Sequence, residues 1–198
     1  EAVWQRAEVD ALYRLADAGV RVPKPHNFLD GVLLMELVAD ENGEAAPRLN
    51  DVALTAEQAL EYHAMLLQQV VRMLCAGIIH GDLSEFNILL AADGPVIIDL
   101  PQAIDAAANS TAGELLERDV NNLRTYFSTF APVLRDTHFG KEIWGQYEGG
   151  LLTPEQLLTG HVVLDEHLAD VDAVLMEVEL AIKENEVRQM CRPDVETA

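Results

Sequence analysis

Two short apolar runs, Ile88-Leu89-Leu90 and Val96-Ile97-Ile98, flank the turn signal Asp93-Gly94, and the polar loop His80-Gly81-Asp82-Leu83-Ser84-Glu85-Phe86-Asn87 leads into the first of them. No other stretch restricts the fold as strongly. Asp-Gly between β-prone runs permits the positive φ of a tight hairpin. Asn87 enters the first strand and Asp99 leaves the second. Facing residues of an antiparallel pair lie about 5 Å apart at Cα. The hairpin is therefore expected to bring Asn87 and Asp99 together at its open end, where one magnesium ion can bridge them. Asp82, one loop earlier, is left to face a hydroxyl group or water. Asn and Asp are also common in ordinary loops because they tolerate turn geometry. The second Asp at the matched strand end is what narrows the reading.

An Asp five residues before an Asn, then a second Asp closing a strand, is the spacing of a kinase phosphoryl-transfer site. The string HGDLSEFNILL, with IIDLPQA after it, closely resembles the RIO family of atypical protein kinases. The simpler set, HGDL plus Asn plus Ile-Asp, is shared with aminoglycoside and choline phosphotransferases. The run Ser84-Glu85-Phe86-Asn87 and the Gln102 that follows Asp99 favour RIO. The segment Glu114-Leu115-Leu116-Glu117-Arg118-Asp119-Val120-Asn121-Asn122-Leu123 is similar to the family's FLxRDVxN segment. Upstream, Ala18-Gly19-Val20-Arg21-Val22-Pro23-Lys24-Pro25 resembles the AGIxVPxP link after the family's helix αC. The resemblance runs from about Trp4 to Phe130. Where many relatives carry His-Pro-Asn-Ala this chain has Ala107-Ala108-Asn109-Ser110, so no role of that His-Pro carries over.

The resemblance implies a kinase-like α+β fold with a mostly helical large lobe and a partial small lobe. It implies ATP with Mg2+ (Mn2+ as the alternative ion), and transfer of the γ-phosphoryl group to a protein Ser/Thr, to the chain's own Asp, or to water. Asp82 would orient or deprotonate the nucleophile. Asn87 and Asp99 would hold the metal, and Asp99 can itself receive the phosphoryl group. Ser84 is placed among the nucleotide-contacting residues, although it and Glu85 serve equally well as turn hydrogen-bonders. Asp119 reads either as an anchor for the catalytic-loop backbone or as a solvated helix residue. Two competing readings are a small-molecule phosphotransferase and a non-catalytic kinase-like binding module; the intact Asp82, Asn87 and Asp99 argue against the second.

Residues from about Ala2 to Ala18 read as a helix stopped by Gly19 and the prolines beyond. Trp4, Glu8, Leu12 and Leu15 share one face. A glutamate inside an apolar stripe is unusual, and Glu8 matches the αC Glu that pairs with a strand Lys at the nucleotide phosphates in kinases. Asn27-Phe28-Leu29, an Asp30-Gly31 turn and a strand from Val32 to Val38 form a second hairpin signal. Its last strand resembles the one leading into the kinase hinge, which makes Met35, Glu36 and Val38 candidates to border the adenine, through backbone groups near Glu36 and Val38. A plain buried strand fits the pattern equally. No Lys precedes Lys24, and only seven residues precede Glu8. The glycine-rich loop and strand Lys are thus expected outside this stretch, which alone should be a weak ATPase. The expected division is residues 1–38 as a partial small lobe, 39–51 as a connector and 52–198 as the large lobe.

Thr55-Ala56-Glu57-Gln58 is a capping box opening a helix with Leu60, His63, Leu67, Val70, Val71 and Leu74 inward. Two more boxes, Thr111-Ala112-Gly113-Glu114 and Thr153-Pro154-Glu155-Gln156, and a final amphipathic helix from about Asp165 to Gln189 complete a helical lobe. His63 reads as a packing histidine. With 34 acidic against 13 basic residues the formal charge is −21. Such a surface repels nucleic-acid phosphates, so direct nucleic-acid binding is not expected. No apolar run approaches the roughly 18 residues of a membrane span, and no signal-peptide pattern is seen. Cys75 and Cys191 have no metal spacing, which suits thiols in a reducing cytoplasm. Neither the protein substrate nor the oligomeric state is written in the sequence.

Overall fold

The chain, seen in a computed structural model that describes residues 2–161, begins with helix α1 (Ala2–Asp17). Gly19 at φ +73° ends it. Gly19 N–H donates to Ala16 O at 3.1 Å and Val20 N–H to Leu15 O at 2.9 Å, the paired bonds of a left-handed helix stop. Val9, Leu12 and Leu15 are buried, and Glu8 is half-buried beside them. The side chain of Trp4 and the helix expected from Asp165 to Gln189 lie outside the described residues, as does Cys191.

Strands β1 (Pro25–Leu29) and β2 (Val32–Met35) form the first hairpin. Asp30 and Gly31 both take positive φ, +50° and +81°, which matches the twist of the strands. The strand expected to reach Val38 stops at Met35, and by Val38 the chain has changed partners. Glu36 N–H donates to Lys24 O at 2.8 Å, and Val38 O accepts from Ala46 N–H at 3.0 Å. The expected connector is itself tied down. Arg48 bridges to Leu89, and Leu49, in one turn of 3-10 helix (Leu49–Asp51), is fully buried.

Helix α2 (Ala56–Cys75) opens on the expected box: Gln58 N–H donates to Thr55 Oγ1 at 3.2 Å, and Thr55 N–H to Gln58 Oε1 at 3.0 Å. Its inner face carries His63, Leu66, Leu67, Val70, Val71 and Leu74. Leu60, expected inward, is exposed, because Ala59 takes the inward position one turn before His63. Short strand β3 (Ile78–Ile79) follows, then the hairpin of β4 (Ile88–Ala91) and β5 (Gly94–Ile97), and β6 (Ile104–Asp105), which pairs with β3. The β4–β5 turn sits at Ala92-Asp93 rather than Asp93-Gly94, since Ala91 pairs with Gly94; the positive φ falls on Gly94 at +121°.

Helix α3 (Ala112–Phe127) starts where expected, without its capping box. Asn109 takes the role instead: its Oδ1 accepts from both the N–H and the hydroxyl of Thr111, at 2.9 and 2.8 Å, so that hydroxyl is turned away from the helix. Helix α4 (Phe139–Glu148) packs against α3. The box at Thr153 opens no helix. Pro154 O accepts from Gln68 Nε2, and Glu155 pairs with Arg72 at 2.9 Å. Leu152 and Leu158 pack on the core while Leu151 and Leu157 face outward, on either side of a single turn in which Gln156 N–H donates to Thr153 O at 3.0 Å. One core cluster joins α1, α2, α3 and the β4–β5 hairpin. No helix among the described residues is long and apolar enough to cross a membrane.

Candidate active site

The loop between β3 and β4 is held from below by one buried acid. Asp119, on α3 and 1% exposed, accepts from Gly81 N–H at 2.8 Å and from Leu83 N–H at 3.0 Å, one bond to each carboxylate oxygen. Arg118 donates to Gly81 O, and Asn122 Nδ2 donates to Leu83 O at 3.0 Å. Of the two readings of Asp119, loop anchor and solvated residue, the geometry selects the anchor. Burial pushes its carboxyl above the usual carboxylate range, while the Gly81 and Leu83 N–H groups, His80 and Arg118 pull the other way.

Asp82 itself is exposed at the crest of this loop. Its backbone is fixed on both sides: its N–H donates to His80 Nδ1 at 3.3 Å, and its carbonyl accepts from Asn87 Nδ2 at 2.8 Å. Asn87 therefore spends its amide nitrogen inside the loop, and its side-chain oxygen carries no hydrogen bond among the described residues. His80 is buried, 2% exposed, and its Nε2 lies 3.0 Å from Ile98 O. A proton on Nε2 and a lone pair on Nδ1 satisfy both of its contacts.

These contacts fix Ile98, the residue before Asp99, from two directions. Ile98 N–H donates to Asn87 O at 3.0 Å, and its carbonyl meets His80. The ladder continues from Ile88 facing Ile97, so Asn87 stands across from Ile98, and Asp99 comes one step later. The register thus sets Asn87 and Asp99 one position out of direct opposition at the hairpin's open end. Asp99 takes φ +68°, in the left-handed region that Asp tolerates and most side chains avoid. Backbone of this kind gathers at functional sites.

A cavity of about 490 Å³ opens beside Asp99. Glu8 from α1, Met35 at the end of β2, Glu36 and Val38 just after it, and Leu89 from β4 all line it. The residues expected at a hinge, at an αC glutamate and at a metal site thus border one space, although they are far apart in sequence. Within the hinge stretch, Glu36 N–H and Val38 O are already bonded; Glu36 C=O and Val38 N–H carry no hydrogen bond among the described residues. Glu8 has no ion-pair partner among them. Asp82, Ser84 and Asn87 are not among the residues lining this cavity. Among the described residues no group of three or more His, Cys, Asp or Glu side chains is placed to hold a metal.

The Asp119 anchor was half-legible, since the Arg118-Asp119 pair stood in a segment already noted. The His80 clamp on Ile98, and a hydrogen bond of 3.4 Å from Gln102 Nε2 to Asp82 Oδ2, carry no sequence signal beyond the presence of those residues in the motifs.

An α+β domain in which a buried acid anchors an Asp-bearing loop and a left-handed Asp borders a cleft is kinase-like in its arrangement. The chain belongs to the RIO domain family, whose model matches residues 1–138. It is 38% identical over 124 residues to the RIO-type serine/threonine-protein kinase Rio1 of Haloferax volcanii, covering 63% of this chain and 41% of that protein. It is 35% identical over 125 residues to the protein of the same name from Thermoplasma acidophilum, covering 63% of each. With the serine/threonine-protein kinase RIO1 of Saccharomyces cerevisiae it shares 32% identity over 133 residues, 63% of this chain and 26% of that one. The chain thus spans less than two thirds of the length of these relatives. Membership of this family leaves the small-molecule phosphotransferase reading unfavoured.

Proposed function

We propose that this chain carries the ATP-handling core of a RIO-type serine/threonine kinase or ATPase. The supporting observation is the cleft of about 490 Å³, lined by Asp99 and by Glu36 and Val38, whose C=O and N–H respectively carry no hydrogen bond among the described residues. A free acceptor and a free donor two residues apart suit the edge of adenine, and the apolar lining of Leu33, Leu89 and Ile98 suits its faces. Asn87 and Asp99 fit a magnesium ion, or manganese in its place. Asn87 keeps one free oxygen, Asp99 supplies a carboxylate, and hard cations of this kind take one or two protein oxygens and complete their shell with phosphate and water. The metal, when bound, neutralises charge on the transferred phosphate. Asp82, exposed on a fixed backbone, orients or deprotonates the acceptor, whether a protein hydroxyl or water. Asp99 is the candidate for an aspartyl-phosphate. Ser84, in the same loop, is the candidate for a nucleotide contact. Glu8 awaits a lysine that residues 2–161 do not offer it.

On this reading residues 1–38 act as a partial small lobe, 39–51 as connector and 52–198 as large lobe, in a cytoplasmic protein. The test is Asp99→Asn in the full-length protein, with magnesium-ATP titrated by calorimetry and phosphate release followed. Asn tolerates φ +68° as well as Asp does, so the fold should stand. Loss of magnesium-dependent turnover at unchanged thermal stability is expected. Turnover within about threefold of the parent at saturating magnesium overturns the assignment.

A further inference from the structure

We infer that Gln102 is a positioning residue that sets the direction of the Asp82 carboxylate. This rests on the reading of Asp82 as the group that handles the acceptor proton. The Asp82 backbone is held by His80 and Asn87, but its side chain has one side-chain donor among the described residues, Gln102 Nε2, at 3.4 Å from Oδ2. An exposed carboxylate on a fixed backbone still rotates about two side-chain bonds. A donor on one oxygen selects a rotamer and leaves the other oxygen for the acceptor.

The fold delivers Gln102 to this point by specific means. Strands β3 and β6 pair Ile79 with Ile104, so the residues after β3 and before β6 run past each other. Gly81 sits at φ +80°, and a Cβ built there would lie 2.5 Å from Gln102 O. The absence of a side chain at Gly81 is thus what lets the Gln102 backbone seat one residue away from Asp82. Ala103 N–H donates to Leu100 O at 3.0 Å and closes the turn that carries Gln102. The amide is also the suitable chemistry. It donates a hydrogen bond without carrying charge, so it orients the carboxylate without forming the ion pair that Lys or Arg would impose and that would weaken it as a base.

The experiment compares parent, Gln102→Ala, Gln102→Glu and Asp82→Ala in the full-length protein, with kcat, KM for ATP and thermal stability. Gln102→Ala is expected to lower kcat about tenfold with KM for ATP within about twofold, because the effect falls on orientation of the acceptor and not on the nucleotide. Gln102→Glu keeps the length of the side chain but replaces its donor with an acceptor, so it should lower kcat at least as far as Gln102→Ala. A merely structural role for Gln102 would lower thermal stability without separating kcat from KM. Unchanged kcat in both Gln102 variants, while Asp82→Ala is inactive, overturns the inference about Gln102 alone. Full turnover in Asp82→Ala overturns the reading of Asp82 and the role of Gln102 with it.

Discussion

His63 should make this domain acid-sensitive well above the range in which its carboxylates titrate. It is 2% exposed on α2, with its ring edge-on to Phe127 and tilted against Phe139, both at 5.5 Å between centroids. Its Nε2 is buried without a hydrogen-bond partner. Burial without a counter-charge lowers its pKa from 6.5 to about 4. Above the unfolded value the ring is neutral in both states, and titration contributes nothing. Below it the unfolded chain takes up a proton that the folded core refuses, so stability falls as pH falls, and the fall ends near the folded value. The difference of about 2.5 units converts to a loss of about 3 kcal/mol across that window. The assay is urea unfolding of the parent and of His63→Leu at a series of pH values between about 7.5 and 4.5. Leu fills the pocket without a titrating group, so the gap between the two proteins should widen in favour of the variant as pH drops. Carboxylates shared by both proteins cancel in that gap. Parallel stability curves for parent and variant over this range would refute the reasoning.

Three further outcomes follow from the site. Asp119→Asn keeps the shape but points an amide N–H at one of the two loop N–H donors, so it should lose about 2–4 kcal/mol of stability by chemical denaturation, beyond the loss of a surface charge. Asp82→Ala should lower kcat by about 10²–10⁴ with nucleotide affinity nearly unchanged, read by turnover and calorimetry; collapsed affinity at a normal rate constant would make Asp82 a binding residue instead. If Glu8 takes the αC role, Glu8→Ala in the full-length protein should lower magnesium-ATP turnover; unchanged affinity and turnover would refute the αC reading of Glu8.

What the sequence made legible is what local chemistry decides. Gly19 ends α1, Asp30-Gly31 turns the first hairpin, and the Thr55 box starts α2, each through contacts within a few residues. The Asp82, Asn87 and Asp99 positions were legible for the same reason, as spacing within one loop and one hairpin. Local chemistry misled where a distant partner outbid it. The Thr153 box is a good helix start, but Pro154 and Glu155 are held by Gln68 and Arg72 on α2, more than eighty positions earlier, and the chain makes only a single turn there. Asp119 stood between two readings because its partners, Gly81 and Leu83, are 38 and 36 residues away. No short-range pattern distinguishes an acid that faces water from one that faces two orphan N–H groups.

The same distance dependence explains how loop residues can hold a fixed geometry. Asp82 and Asp99 both lie outside regular strands and helices, where backbone is usually mobile. Each is instead fixed through its neighbours by buried polar groups. Asp119 holds the residues on both sides of Asp82, and His80 and Asn87 hold the residue before Asp99. His80 belongs to both sets, since one ring nitrogen meets the Asp82 N–H and the other meets Ile98 O. A shift of Asp82 therefore disturbs the support of Asp99. The two carboxylates should respond together to changes at His80, so a His80→Ala variant and an Asp99→Asn variant should give losses in turnover that do not add. Full additivity of the two would show that the buried histidine supports only its own loop.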